Sequence, residues 1–273
     1  MPEETASRRY ALLLEYDGTE LAGSQAQAAV RTVQGELEEA ARRLSRQTVR
    51  AAFAGRTDAG VHAVGQVAAL TLPGAHSPET VRDALNHYLP RDVAVRAACR
   101  AGERFEPRRE AVARVYRYCL RDGAHRSPLT RRWAWERRAL LDEGAMAEAA
   151  AQWPREPADW AAFASPVSAG YPTVRTLYRC DVERRGVNRL AVTVEADGFL
   201  PHQVRRMVGA LERVGMGLEG LTWPAAGLAG KSASAGPTAP AHGLTLCSVR
   251  YPPGTVCWEV GTRDDDDEDL PPA

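Results

Sequence analysis

The apolar residues of this chain switch between a spacing of two and a spacing near 3.6 in one fixed order, and the second half repeats that order. Tyr10, Leu12, Leu14 and Tyr16 alternate as one face of a strand that ends at the turn Asp17-Gly18. Thr32 is placed to cap a helix carrying Val33, Leu37, Ala40, Ala41 and Leu44 on one side. Two strands are expected at about 49–54 and 66–72. Ser77-Pro78, a cap followed by proline, then opens a helix bearing Val81, Leu85 and Leu89. Residues 93–99 alternate as a further strand. The second half gives a strand at 112–121, a helix capped by Asp142 and running to about 152, and a hairpin of 178–184 and 190–196 about Gly186. A long helix at 199–214 turns Leu200, Val204, Met207, Val208 and Leu211 inward, and a strand at 244–251 closes the pattern.

Each half therefore reads βαββαβ, the ferredoxin-like split arrangement. The expected fold class is α+β. Two such halves, 1–105 and 106–262, would form one extended, mainly antiparallel sheet with helices on one face, the other face open, and a central cleft. Residues 225–240, rich in Ala, Gly, Ser and Pro, read as a loop. Residues 263–273 contain six consecutive acids, Asp264 to Asp269, and read as a disordered acidic tail.

That tail hides a charge asymmetry. The whole chain has 35 basic and 35 acidic residues; without 263–273, which hold Arg263 and the six acids, 34 basic face 29 acidic. Lys231 is the only lysine, so the positive charge is almost all arginine, which suits bidentate phosphate contacts. A coding bias would produce the same swap, so a mildly basic body permits RNA binding without requiring it. Five cysteines, Cys99, Cys119, Cys180, Cys247 and Cys257, are scattered without C-x-x-C spacing, which argues against a zinc site or a disulfide framework. No run of about 18 uncharged apolar residues is present, and Met1 to Arg9 lacks the apolar centre of a secretory signal. No membrane association, no metal and a cytoplasmic location are expected.

The chemistry concentrates in Gly55-Arg56-Thr57-Asp58-Ala59-Gly60-Val61-His62, between two expected strands. Gly55 and Gly60 would let the loop turn sharply and hold Asp58 at the strand ends. Asp-x-Gly is also ordinary turn chemistry.

Ala54 to His62 resembles the catalytic motif of the TruA family of tRNA pseudouridine synthases almost letter for letter. Further similarities follow in family order through residues 10–251. They are Glu15-Tyr16-Asp17-Gly18, Thr32-Val33-Gln34, Arg114-Val115-Tyr116-Arg117-Tyr118, Phe199 to Arg205, and Thr238 to Leu244. The resemblance implies that Asp58 is the catalytic aspartate and that Tyr116 stacks near the target uracil. It makes Arg205 the arginine paired with the aspartate and Leu244 an aliphatic neighbour of the base pocket. The implied reaction converts uridine to pseudouridine at positions 38, 39 and 40 in the anticodon stem-loop of tRNA. A flipped-out base would enter a central RNA-binding cleft of a homodimer that uses no cofactor and no metal. Arg56, with Arg108 and Arg114, would grip phosphates.

Each residue has a plainer reading beside this one. Tyr116 and Tyr118 share a strand face and could both be core; Tyr118 is read so. Arg205 could be a solvated helix residue. His62 and His202 are read as shaping their surroundings rather than moving protons. A non-catalytic tRNA-binding or folding module, and a synthase acting on a different RNA, stand as alternatives.

A carboxylate suits the reaction because the ribose gains oxocarbenium character as the C1′–N1 bond breaks. Attack at C1′, attack at C6 of uracil and a glycal route all remain open. Burial disfavours a carboxylate's charge and a guanidinium restores it, so a contact between Asp58 and Arg205 is expected. Three departures from the family pattern stand out. Ser24 replaces a common tryptophan, Pro201 replaces one of two adjacent histidines, and Glu106-Pro107 replaces His-Ala before Arg108. The loss of an aromatic at 24 is read as a change in RNA docking.

Overall fold

The computed structural model describes residues 7–166, 168, 170–230 and 236–258. The acidic run 264–269 and Lys231 lie outside the described residues. The chain divides into two compact units. The first holds the described residues up to Val112 and from Leu246 on; the second holds those from Ala113 to Thr245. The class is α+β with mainly antiparallel strands, as the alternating spacings require.

In the first unit the order is β1 (Ser7–Tyr16), α1 (Val33–Ser45), β2 (Ala52–Phe53), β3 (His62–Pro73), α2 (Pro78–Tyr88), β4 (Val93–Arg100) and the short α3 (Pro107–Glu110). β1 lies between β4 and β3 and is antiparallel to both, and β2 pairs with β3. That is the split arrangement the spacing implied. Helix starts fall where the caps predicted: Thr32 accepts from Gly35 N, and Ser77 accepts from Thr80 N with Pro78 at the first turn.

Two expectations change here. The strand at 49–54 shrinks to Ala52–Phe53, which pair only with Ala69 and Ala68. The strand entering from Leu246 also neighbours β3, and its backbone at Cys247 crowds Gly65. That edge of β3 is thus shared with the strand that passes at Gly65. The second sheet face is not open either. Ala11, Leu13, Val67, Ala69 and Cys99 form a buried cluster with Phe105, against which Tyr251, Val256 and Trp258 pack. Phe105 and Tyr251 meet at 5.5 Å, and the Tyr251 hydroxyl donates to Pro107 O at 2.8 Å. Small residues on this face let a chain segment lie flat on it. Because strand neighbours alternate, α1 and α2 take the opposite face, with Tyr10, Leu12 and Leu14 fully buried.

The second unit contains β5 (Ala113–Arg121), β6 (Trp135–Glu136), α4 (Glu143–Ala151), β7 (Ala158–Asp159), β8 (Val174–Arg175), β9 (Leu177–Arg184), β10 (Arg189–Ala196), α5 (Gln203–Gly215) and α6 (Trp223–Leu228). β11 (Leu244–Arg250) starts here and passes to the first unit at Leu246. β10 lies between β5 and β9, antiparallel to each, while β6 runs parallel to β5. α4 packs on α5 and on β9. Trp153, Trp160 and Phe163 form a buried aromatic knot with centroids 5.6 to 5.9 Å apart.

Here too the expectation is corrected at two points. The long helix begins at Gln203 rather than 199, because His202 takes a left-handed conformation at φ 62°. Gln203 reaches back to accept from Leu200 N at 2.8 Å, which holds the non-helical turn in place. Part of 225–240 is helical, since α6 runs to Leu228; Pro224 at its first turn suits a helix start.

Asp122 fastens the β5 end. Burial of its carboxylate acts to raise its pKa. Two hydrogen bonds from Arg184, at 3.1 and 3.0 Å, and one from Leu141 N at 3.0 Å outweigh this and hold the pKa below the usual value. A depressed folded-state pKa gives stability that is complete above the unfolded value, about pH 4, and fades as pH falls through the folded one. In urea titrations Asp122→Asn should be less stable than wild type by about 1–3 kcal/mol at pH 7, with the gap closing below about pH 4. A gap that stays constant with pH would contradict the ion-pair account.

Candidate active site

The loop from Gly55 to Val61 is tied down at its backbone. Thr57 N donates to Ser24 Oγ at 2.8 Å, and Ser24 N donates to Thr57 O at 3.1 Å. Gly60 N donates to Leu21 O at 3.3 Å, and Val61 N closes the turn on Asp58 O at 3.1 Å. Gln66 Nε2 donates to Gly55 O at 3.0 Å. The segment that receives these bonds is itself fixed on α1, because Val33 N donates to Gly23 O and Gln34 N to Ser24 O. The first turn of a helix has spare N–H groups, and here they hold the brace.

Beneath the loop is a small buried polar network. The Tyr16 hydroxyl and Thr57 Oγ1 share a hydrogen bond of 2.9 Å, and Gln66 Nε2 lies 3.4 Å from the same hydroxyl. Ser24, Gln66 and Tyr16 are each at most 3% exposed. Burial pushes the Tyr16 pKa up to about 12, partly offset by its hydrogen bonds to Thr57 and Gln66. The phenol therefore stays protonated at physiological pH. Buried polar groups persist where they find partners, and here Tyr16 of β1 and Gln66 of β3 are bonded to each other and to Thr57 and Gly55 of the aspartate loop.

Asp58 is half-buried at the crest of this loop, and Arg56 beside it is exposed. Gly60 has φ 80°, a conformation that glycine adopts freely. Gly55 needs no such freedom: its φ is not positive, and an added Cβ would meet nothing within 4 Å. The second special glycine is instead Gly23, at φ 96°, where a Cβ would come within 2.7 Å of Thr57 O. His62 is 1% exposed. Its Nδ1 accepts from Gly18 N at 3.1 Å and so pins the turn after β1. Asp17 Oδ1 also lies 3.2 Å from Nδ1, but a nitrogen accepting from Gly18 carries no proton, so that contact is proximity rather than an ion pair.

The other candidates sit in the second unit. Tyr116 is 7% exposed, edge-on to Phe199 at 5.3 Å. Arg205, half-buried in the first turn of α5, donates from Nε to Ala239 O at 2.7 Å, and Ala239 N donates back to Arg205 O at 3.1 Å. Tyr118 is fully buried, as expected of a core residue, yet its hydroxyl donates to Pro240 O at 2.8 Å. The segment before Leu244 is therefore anchored through Arg205 and Tyr118 together, and Leu244 is 5% exposed. Burial pushes the Tyr118 pKa well above its ordinary value, so this donor is retained. His202 Nδ1 lies 2.6 Å from Ser165 Oγ, a contact that steadies the turn before α5. Among the described residues no group of His, Cys, Asp and Glu could hold a metal ion. No helix of the described residues is long and apolar enough to cross a membrane.

A family model for tRNA pseudouridine synthase matches residues 13–108 and 158–252, which carry both the aspartate loop and the α5 start. The chain belongs to the tRNA pseudouridine synthase family. It is 44% identical over 258 residues to tRNA pseudouridine synthase A of Chloroflexus aurantiacus, covering 92% of this chain and 91% of that protein. The corresponding synthase of Methylobacterium nodulans is 45% identical over 246 residues, covering 89% and 96%. That of Acidiphilium cryptum is 46% identical over 249 residues, covering 89% and 96%. A chain of a Cbf5–Nop10–Gar1 complex is matched at TM-score 0.30 and 9% identity, over 75% of this chain and 54% of that chain, too loosely to bear on the fold. As a member of its family the synthase is an isomerase that acts on tRNA, turning uridine into pseudouridine.

Sequence reading missed Ser24 as a brace of the Asp58 loop, seeing only an absent aromatic. Its signal lay in its position, next to Gly23 and just ahead of the α1 cap. The contrast between glycines gives a test. Gly55→Ala should leave stability within about 0.5 kcal/mol of wild type, as surface changes do. Gly23→Ala should cost well over 1 kcal/mol, because strain and a backbone clash add. Ser24→Ala orphans the buried Thr57 N, costs about 1–3 kcal/mol, and should lower kcat more than it raises KM. Equal stability of the Gly23 and Gly55 variants by urea titration would refute the bracing described.

Proposed function

We propose that Asp58 is the carboxylate that acts on the target nucleotide of tRNA. The observation that supports this reading most strongly is a half-buried aspartate on a loop whose backbone is bonded at Gly55, Thr57, Asp58 and Gly60. A group held this way need not be ordered when substrate arrives, so its alignment is already in place.

The reaction breaks C1′–N1, turns the uracil, and forms C1′–C5. The proton on C5 is then lost and N1 gains one. Developing positive charge on the ribose is stabilised by the Asp58 carboxylate, which can also bond C1′ or C6 or take a proton. The base must first leave its stack, at a cost of a few kcal/mol that ring contacts recover in part. Tyr116 is proposed as that ring, with Leu244 as its aliphatic neighbour. Arg205 is proposed as the cation that balances Asp58, and Arg56 as a phosphate contact. The target uridines are proposed to be those at positions 38, 39 and 40 of the anticodon arm, and the enzyme to work as a cytoplasmic homodimer.

Transfer RNA tritiated at uridine C5 tests the core of this. The wild type should release tritium, and Asp58→Asn should bind the tRNA and release none. Zero release from both proteins would leave only an RNA-binding module. Tyr116→Phe should keep most tRNA affinity and slow conversion by about 10²-fold, the lower range for loss of a positioned polar group. Wild-type turnover in that variant would remove the hydroxyl from the mechanism. Mapping of pseudouridine in cellular tRNA after gene deletion reads out the target positions.

A further inference from the structure

β5 ends at Arg121 and leads into a twelve-residue stretch, 123–134, that contains no acid. It carries His125, Arg126, Arg131 and Arg132, and all four are exposed. Leu129 stands between them, 87% exposed. Elsewhere on the surface many arginines are spent on carboxylates: Arg31 on Glu36 and Asp92, Arg42 and Arg43 on Glu39, Arg50 on Glu38, and Arg185 on Glu183. Among the described residues neither Arg126 nor Arg131 is in an ion pair. Arg131 instead donates to its own loop, to Pro128 O at 2.6 Å. The two nearest acids are turned inward, Asp122 onto Arg184 and Glu136 onto Ser127 N.

The stretch is also firmly rooted. Ala134 is fully buried, and Trp133 N and Ala134 N both donate to Thr130 O, at 2.9 and 3.0 Å. Beyond it, β6 pairs in parallel with β5, and Trp135 meets the Tyr118 ring edge-on at 6.3 Å. The base of the loop is thus built into the core while its arginines point outward. Ordering such a loop on binding costs little, and this is what a docking surface for a large anion requires.

From this arrangement we propose that the 123–134 loop is a second, sequence-independent docking surface for the phosphate backbone of tRNA, separate from the residues that meet the target base. The proposal rests on tRNA being the substrate. Charge complementarity fixes the partner class: the exposed guanidiniums of Arg126 and Arg131, in no ion pair among the described residues, match phosphates, and arginine binds them bidentately. From Tyr116 to Arg121 the strand advances roughly 17 Å, a span of several base pairs along an RNA helix. A base seated against Tyr116 would leave its own helix on the scale at which this loop could meet the backbone. Leu129 would rest on sugar edges between those contacts.

The test compares wild type with Arg126→Ser/Arg131→Ser/Arg132→Ser and with an equally exposed control, Arg42→Ser/Arg43→Ser. Binding of unmodified tRNA is titrated across salt, and tritium release is measured at saturating tRNA. The loop variant should bind about tenfold more weakly at low salt and show a slope of log K against log salt shallower by about 2–3, since each lost phosphate contact removes about 0.7–0.9. Its kcat should match wild type, and the control should keep both affinity and slope. An unchanged slope in the loop variant would overturn the proposal. So would a change in sedimentation coefficient without a change in tRNA binding, since the loop would then join chains to each other. Tritium release by the wild type is scored separately, so loss of this docking surface and loss of the catalytic reading give different results.

Discussion

The pairing of Ser24 with Thr57 is the constraint on which the rest of the site depends. Two backbone segments distant in sequence exchange hydrogen bonds through one serine side chain and one main-chain N–H. Neither segment has regular structure of its own there. Their geometry is set from below by Tyr16 and Gln66 and from behind by the first turn of α1. Asp58 is directed by its neighbours' backbone bonds, so its position follows from the fold of the first unit. A buried donor without an acceptor is costly, and Ser24 Oγ is the acceptor that satisfies Thr57 N.

The same economy shapes the second unit. The Tyr118 hydroxyl and the Arg205 guanidinium each bind a carbonyl of the 239–240 segment, so one strand residue and one helix residue jointly place the residues before Leu244. Core and site are therefore not separate categories here. Tyr118 is as buried as any leucine in the molecule, yet its polar end fixes a segment that the family resemblance ties to the base pocket.

Much of the fold was legible because it depends on local rules. Caps at Thr32, Ser77 and Asp142 announced three helices, alternation announced β1 and β4, and the turn at Gly186 announced the hairpin of β9 and β10. Errors arose where a remote segment intervened. β2 was shortened because another strand occupies the same edge of β3. α5 began late because His202 adopts a left-handed turn steadied by Ser165 and followed by Gln203. In the first unit the sheet face expected to be open is covered by residues around Phe105 and Tyr251, and small strand residues alone do not reveal what will lie over them.

For the site, the resemblance of the motif around Asp58 to a family's catalytic motif indicated which residue to suspect and what chemistry it could serve, whereas Asp-x-Gly by itself is ordinary turn chemistry. Periodicity determined the order of strands and helices, because each element answers to spacing within itself. Tertiary structure decided that Gly23 rather than Gly55 is the strained hinge, and that Ser24 is a brace rather than a missing platform. These facts concern hydrogen bonds and contacts between residues more than thirty positions apart. No local pattern encodes such a distance; it exists only once the chain has closed on itself.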